Sequence, residues 1–175
     1  KHLTKKVAYC ITVSDGIKSL LEELYPLRSV TVVRNFPQFR TPIVSNRIRE
    51  ELGLEQTRPI VLYQGGFLTE NGLLEQIDAA ASFETAALVL IGGGPCETQL
   101  RDRVSQKGLQ ESVFFLPRVS FDELHEYTCS ADIGLCLIKN SGQSFYRSMP
   151  NKLFEYFMAG IPVIASDFPE IGRVV

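Results

Sequence analysis

Ala87-Leu88-Val89-Leu90-Ile91-Gly92-Gly93-Gly94-Pro95 is the stretch on which the fold turns. Its apolar run shows no polar alternation, which fits a strand buried on both faces of a parallel sheet. The glycines permit a tight turn, and Pro95 suits the start of a helix running to about Lys107 and ended by Gly108. The same order of strand, turn and helix recurs on either side. Apolar runs at Val7–Val13, Val30–Val33, Ile60–Gln64, Val113–Leu116, Ile133–Ile138 and Pro162–Ala165 supply the other strands.

Helix signals fall between them. Ser14 precedes Ile17, Leu20, Leu21 and Leu24, a stripe at helical spacing. Thr41 and Pro42 open a helix over Ile43 to Leu52, closed by Gly53, and a further helix spans Asn71 to Phe83. Ser120 and Glu123 form a capping box ahead of Leu124. Pro150 lies in the first turn of a helix that ends at Gly160, and a new helix is expected after Pro169. This alternation predicts an α/β fold, a Rossmann-like doubly wound parallel sheet. Ligands in such sheets bind beyond the carboxyl ends of the strands. The loops at Gly65–Phe67, Gly92–Pro95, Pro117–Val119 and Lys139–Asn151 are therefore the ones to inspect.

The 175 residues are enough for one packed domain with a fragment of a second. Residues 34–41 read as a connector, and the chain ends a few residues beyond Pro169, so both ends read as cut from something longer. A net charge of −2 without a Lys/Arg cluster argues against a nucleic-acid partner. No apolar run is long enough to span a bilayer and no signal peptide is visible, so the chain reads as soluble. Cys10, Cys96, Cys129 and Cys136 include no C-x-x-C pair and read as reduced structural thiols in a cytosolic setting. His2 and His125 lack the spacing of a metal site, and His125 reads as an exposed helical residue.

Neither glycine turn matches G-x-G-x-x-G or the P-loop, so each can be a plain tight turn or a place where a phosphate approaches the backbone. Ser148 to Asp167 is richer. Leu153, Phe154, Phe157 and Met158 form the expected buried face of its helix, with Lys152 and Glu155 sharing the other face. A lysine in a first turn opposes the helix dipole by roughly 0.3–1 kcal/mol. It makes sense there if an anion also binds at that helix start; the alternative is a solvated Lys/Glu pair.

Glu155-x-Phe157-x-Ala159-Gly160-x-Pro162-Val163-Ile164-Ala165-Ser166-Asp167 closely resembles the signature of group 1 (family 4) glycosyltransferases. Val32-Val33-Arg34-Asn35, Leu62 to Phe67 with Asn71-Gly72-Leu73, Leu88 to Pro95, Val113 to Pro117 with Ser120-x-x-Glu123-Leu124, and Ala131 to Leu135 extend the likeness over essentially the whole chain. The resemblance implies a retaining enzyme of GT-B fold, two Rossmann-like domains facing across a cleft. Residues 1–40 would be the tail of the N-terminal acceptor domain and linker. Residues 41–175 would be the donor nucleotide-sugar-binding domain, truncated at its C-terminus.

It also implies site roles. Glu155 matches the second glutamate of an E-x7-E motif, expected on the donor ribose. The helix start at Pro150, Asn151, Lys152 and Leu153 would bind the donor, with the backbone amides of Asn151 and Lys152 receiving the diphosphate. Arg118 and Val119 would line the base, and Gly66 and Gly93 the diphosphate turns. Phe67 and Asn71 stand where many relatives carry a basic pair, and Arg147 stands where the first motif glutamate is expected on the donor sugar. Lys152 and Arg147 are the candidate substitutes for the missing cations.

The expected activity is transfer of a hexosyl-type sugar from a UDP- or GDP-type donor to a glycan or lipid-linked saccharide, with retention of configuration. The acceptor would bind through the missing domain, so this stretch alone is expected to bind donor weakly and to transfer nothing. No cofactor is expected, and the absence of Asp-x-Asp argues against a metal bridging the diphosphate. The full-length protein is expected in the cytoplasm, with peripheral contact to the inner face of the membrane. A nucleotide-sugar epimerase of the same fold and a non-catalytic nucleotide-binding module are the alternatives.

Overall fold

The computed structural model describes residues 7–175, so His2 lies outside the described residues. Five strands form one parallel sheet: β3 (Ile60–Gly66), β4 (Ala87–Gly93), β5 (Val113–Leu116), β6 (Ile133–Cys136) and β7 (Val163–Ala165), in the order β5-β4-β3-β6-β7. The α/β expectation is met. The order reverses between β3 and β6, and at such a switch point the flanking connections leave to opposite sides and open a crevice. Ahead of this sheet, β1 (Cys10–Thr12) and β2 (Val30–Val32) make a separate parallel pair bridged by α1 (Asp15–Leu24). Ser14 caps α1 by accepting from the Ile17 amide.

Two helical layers cover the large sheet. On one face α3 (Leu73–Ala80) and α4 (Glu97–Gln106) pack Leu73, Ile77, Leu100 and Val104 against Val61, Leu88 and Leu90. On the other face α2 (Arg47–Leu52), α5 (Phe121–Cys129) and α7 (Asn151–Ala159) bury Ile48, Tyr127, Leu153 and Tyr156 against Ile60, Leu62, Val89 and Ile91. The capping box of Ser120 and Glu123 is present. Glycine is required where β3 and β4 leave the sheet side by side. A side chain on Gly92, at φ +150°, would place its first carbon 1.9 Å from the Gly65 carbonyl oxygen.

Several expectations change. Residues 43–46 are not helical; α2 begins only at Arg47, after Asn46. Gly72, in a left-handed conformation, separates a single 3-10 turn at Thr69–Asn71 from α3, so the segment after β3 starts in two pieces. A short helix α6 (Gln143–Tyr146) follows Gly142, and the residues after Pro169 form turns rather than a helix.

The α7 stripe also rotates. Phe157 is 40% exposed, while Tyr156 is fully buried. Phe154 meets Phe36 edge to face at 4.7 Å, and Met158 Sδ accepts from the Arg40 amide at 3.3 Å. These side chains therefore hold the connector rather than the sheet. Arg40 adds an ion pair to Asp122, and His125 Nε2 lies 2.8 Å from the Thr41 carbonyl, so His125 is half-buried against the connector rather than exposed.

Tyr156 is the fastening between α7 and the sheet. Its hydroxyl accepts from the Gln64 amide at 3.2 Å and lies 3.2 Å from the carbonyls of both Leu62 and Leu135. Its ring lies on Gly134, where a methyl would come within 2.5 Å of the ring. Tyr156→Phe leaves the buried Gln64 amide without an acceptor, which costs about 1–3 kcal/mol. Urea unfolding of the variant checks this; an unchanged midpoint would show that the hydroxyl is dispensable.

Candidate functional site

The switch point lies between the carboxyl ends of β3 and β6, and the start of α7 reaches the end of β3, with Lys152 beside Gly65. Pro150 is the N-cap of α7, with extended backbone and no cap hydrogen bond from its side chain. The amides of Asn151 and Lys152 have no acceptor among the described residues; within this turn the Leu153 amide bonds to the Pro150 carbonyl. A helix start with free amides carries a partial positive charge and is suited to an anion.

Lys152 adds a full charge. Its Nζ lies 3.9 Å from the centroid of the Tyr63 ring, beside Gly65, and makes no ion pair or hydrogen bond with the described residues. The ring face compensates part of the lost hydration. Desolvation lowers the Lys152 pKa from 10.5 to about 8, while neighbouring Cys136 and Glu155 act in the opposite direction. Burial likewise pushes the Cys136 thiol up to about 11, against the influence of Lys152. A half-buried cation without an anionic partner is costly to the fold, and a bound anion would compensate it.

Glu155, one turn further on, is partly buried and points to β3. Its Oε2 accepts from Gln64 Nε2 at 2.5 Å. Burial raises the Glu155 pKa, opposed by the Gln64 hydrogen bond and the Lys152 charge. Lys152 and Glu155 thus do not form the solvated pair considered from sequence; each meets a different residue of β3.

The remaining candidates divide. The Gly66 carbonyl accepts from the Tyr63 hydroxyl at 2.7 Å and from Asn71 Nδ2 at 2.8 Å, so Asn71 holds the turn with its amide. Arg118 lies over the end of β4, donating to the Gly93 carbonyl at 2.8 Å, with Val119 half-buried beside it. Phe67 and Leu153 are placed differently from a ligand-contacting reading. The Phe67 side chain is 1% exposed and packs on Phe115 inside the core, and Leu153 is fully buried. Both support the site from below, leaving only backbone for the crevice.

Arg147 is turned away as well. Its Nε donates to Gln143 Oε1 at 2.8 Å and its Nη1 to the Gly16 carbonyl at 3.2 Å, whereas Lys152 has no such partner. Tyr63 and Gln64 were missed from sequence. The available signal was a polar side chain at the end of a continuous buried run, since buried polar groups need partners.

Other hollows suit a diphosphate less well. One of about 640 Å³ opens near Gly53, Arg58, Glu84 and Glu111, toward the amino ends of the strands, where carboxylates would repel an anion. Another, of about 470 Å³, is an apolar groove beside α3 lined by Val61, Ile133, Leu135, Leu137 and Ile164.

A parallel α/β sheet with a free helix start at its switch point is an arrangement suited to an anion. The sequence profile of the glycosyl transferases group 1 family matches residues 44–175, and the chain belongs to that family. It is 24% identical over its whole length to an alpha-D-kanosaminyltransferase of Streptomyces kanamyceticus, covering 46% of that protein. It is 27% identical over 73% of its length to a putative colanic acid biosynthesis glycosyl transferase, WcaI, of Escherichia coli, covering 31% of it. The chain thus spans less than half of these curated relatives.

Among solved structures, HepE of Anabaena in complex with UDP and glucose superposes with a TM-score of 0.80 at 16% identity, over 98% of this chain and 48% of that one. WaaG, a glycosyltransferase involved in lipopolysaccharide biosynthesis, superposes with a TM-score of 0.67 at 17% identity, over 94% and 45%. These neighbours are GT-B glycosyltransferases, and the likeness concerns the fold. Among the described residues no helix is long and apolar enough to cross a membrane.

The Lys152 geometry has a consequence for stability. Between pH 8 and 10.5 the folded chain holds fewer protons at this site than the unfolded chain, so burial of Lys152 destabilises below pH 8 and is relieved as pH rises to 10.5. Lys152→Met is therefore expected to unfold at higher urea than the parent at pH 7, with the gain lost by pH 10.5. A variant less stable at pH 7 would contradict the half-buried, unpaired cation.

Proposed function

We propose that this chain is the donor-binding half of a retaining family 4 glycosyltransferase. It would bind a nucleotide diphosphate sugar and support transfer of a hexosyl group, with retention, to a glycan or lipid-linked saccharide held by a preceding domain. Residues 1–40 form the end of that acceptor domain and its linker, and residues 41–175 the donor domain. Exposed Ile11 on the small β1–β2 pair, with exposed Tyr9 and Val33 next to its strands, supports this division, since a two-stranded parallel sheet needs a larger sheet to bury its apolar faces.

The observation that carries the reading is the start of α7, where two free amides and an unpaired lysine converge. Such an arrangement stabilises the negative charge that develops on a departing nucleoside diphosphate, which is electrostatic catalysis by fixed groups. The helix start takes the diphosphate, and Lys152 supplies the cation that relatives place at positions 67 and 71. Glu155 takes the ribose, while the Arg118–Val119 backbone lines the base. The UDP carried by structural neighbours supports a UDP- or GDP-type donor here. With Lys152 in this role and no Asp-x-Asp in the chain, transfer proceeds without a resident metal and survives EDTA. The enzyme works in the cytoplasm, peripheral to the inner face of the membrane.

Lys152→Ala is expected to weaken nucleoside diphosphate binding about tenfold or more, the worth of one charge-assisted hydrogen bond. Calorimetric titration of the full-length protein with UDP and GDP tests this, and unchanged affinity would remove Lys152 from the site. Proton uptake on binding at pH 8.5, present in the parent and lost in the variant, is the accompanying signature, because a bound diphosphate holds Lys152 protonated above its free pKa.

A further inference from the structure

We infer that Gln64 is a positioning residue that holds Glu155 for the pentose of the donor, an inference that rests on the donor-binding reading above. Gln64 lies near the carboxyl end of β3, at the switch point, and is 1% exposed. Its side chain bridges two helices. Nε2 donates to Glu155 Oε2 on α7 at 2.5 Å, and Oε1 accepts from the Thr128 hydroxyl on α5 at 2.8 Å. Thr128 is itself fully buried. The Thr128 hydroxyl, 2.7 Å from the Leu124 carbonyl as well, has one proton to share between that carbonyl and the amide oxygen, and it holds the oxygen side of the Gln64 amide while the nitrogen faces the carboxylate. The Gln64 backbone is fixed as well, through its amide bond to the Tyr156 hydroxyl.

Three elements therefore converge on one carboxylate. Glu155 Oε2 is held, whereas Oε1 has no partner among the described residues. A carboxylate pinned through one oxygen has few orientations left and meets a pair of ribose hydroxyls without further ordering, which is how preorganisation improves affinity. The amide hydrogen bond also favours the ionised form, against the burial that raises the Glu155 pKa. An ionised acceptor is what a diol requires.

A purely structural Gln64 would affect stability but not discrimination between pentoses. The test is calorimetric titration of the full-length protein with whichever of UDP and GDP binds more tightly, and with the 2′,3′-dideoxy form of that nucleotide. The parent is expected to prefer the ribonucleotide by about tenfold or more, the worth of at least one charge-assisted hydrogen bond. Gln64→Met, close in volume, reduces that preference to less than about threefold while leaving dideoxynucleotide affinity unchanged. Thr128→Val gives an intermediate loss and keeps the inference testable if Gln64→Met fails to fold.

Retention of the full preference in the folded Gln64 or Thr128 variants, alongside its loss in Glu155→Ala, overturns the role of Gln64 and leaves the ribose contact standing. Equal binding of the two nucleotides by the parent overturns the ribose contact itself, and the role of Gln64 with it.

Discussion

The Tyr156 hydroxyl stands where β3 and β6 part. The two strands pair only at Val61 with Ile133 and at Leu62 with Gly134. Beyond that point the phenol provides the polar partners that a continued ladder would have supplied, meeting the Gln64 amide and the carbonyls of Leu62 and Leu135. The split opens the crevice, and the same side chain anchors α7 along it. Gly134 is part of this constraint, since any larger residue would displace the ring. The position of α7, and therefore of its free amides, Lys152 and Glu155, depends on that one buried hydroxyl.

From this anchor the chemistry of the crevice follows. Residue 156 faces the sheet, so residues 152 and 155, one turn apart, flank it along the edge of β3. There each finds a different partner, the Tyr63 ring for the cation and the Gln64 amide for the carboxylate. Neither satisfies the charge fully. An unpaired, half-dehydrated lysine beside free helix amides costs stability in the unliganded chain and is offset when an anion arrives. Such a conflict between local stability and available charge is characteristic of functional sites.

Much of this was legible in the sequence. The sheet strands could be read because Ala87 to Ile91 and Ile60 to Tyr63 are apolar without interruption, a pattern only two-sided burial explains. The Ser14 and Ser120 caps followed from local chemistry alone. The α7 stripe misled because Phe154 and Met158 are apolar for a different reason, lying against the connector, and Phe157 is exposed, while a tyrosine whose hydroxyl is fully satisfied took the core position. Pro42 suggested a helix start that the chain delays to Arg47, leaving residues 41–46 without regular secondary structure and Thr41 in reach of His125. Partners across the fold, such as Arg147 with Gly16 or Gln64 with Thr128, are long-range pairings that one sequence does not display.

The central claim is that the amides opening α7 receive the diphosphate. Backbone amide chemical shifts of the isotopically labelled full-length protein, followed during titration with the nucleoside diphosphate it binds, address this most directly. The account predicts the largest shifts at Asn151 and Lys152, with smaller ones at Gly65, Gly66 and Gly93. Saturable binding that leaves Asn151 and Lys152 unmoved, with shifts gathered instead around Glu55, Glu84 and Glu111 at the opposite end of the strands, would contradict it.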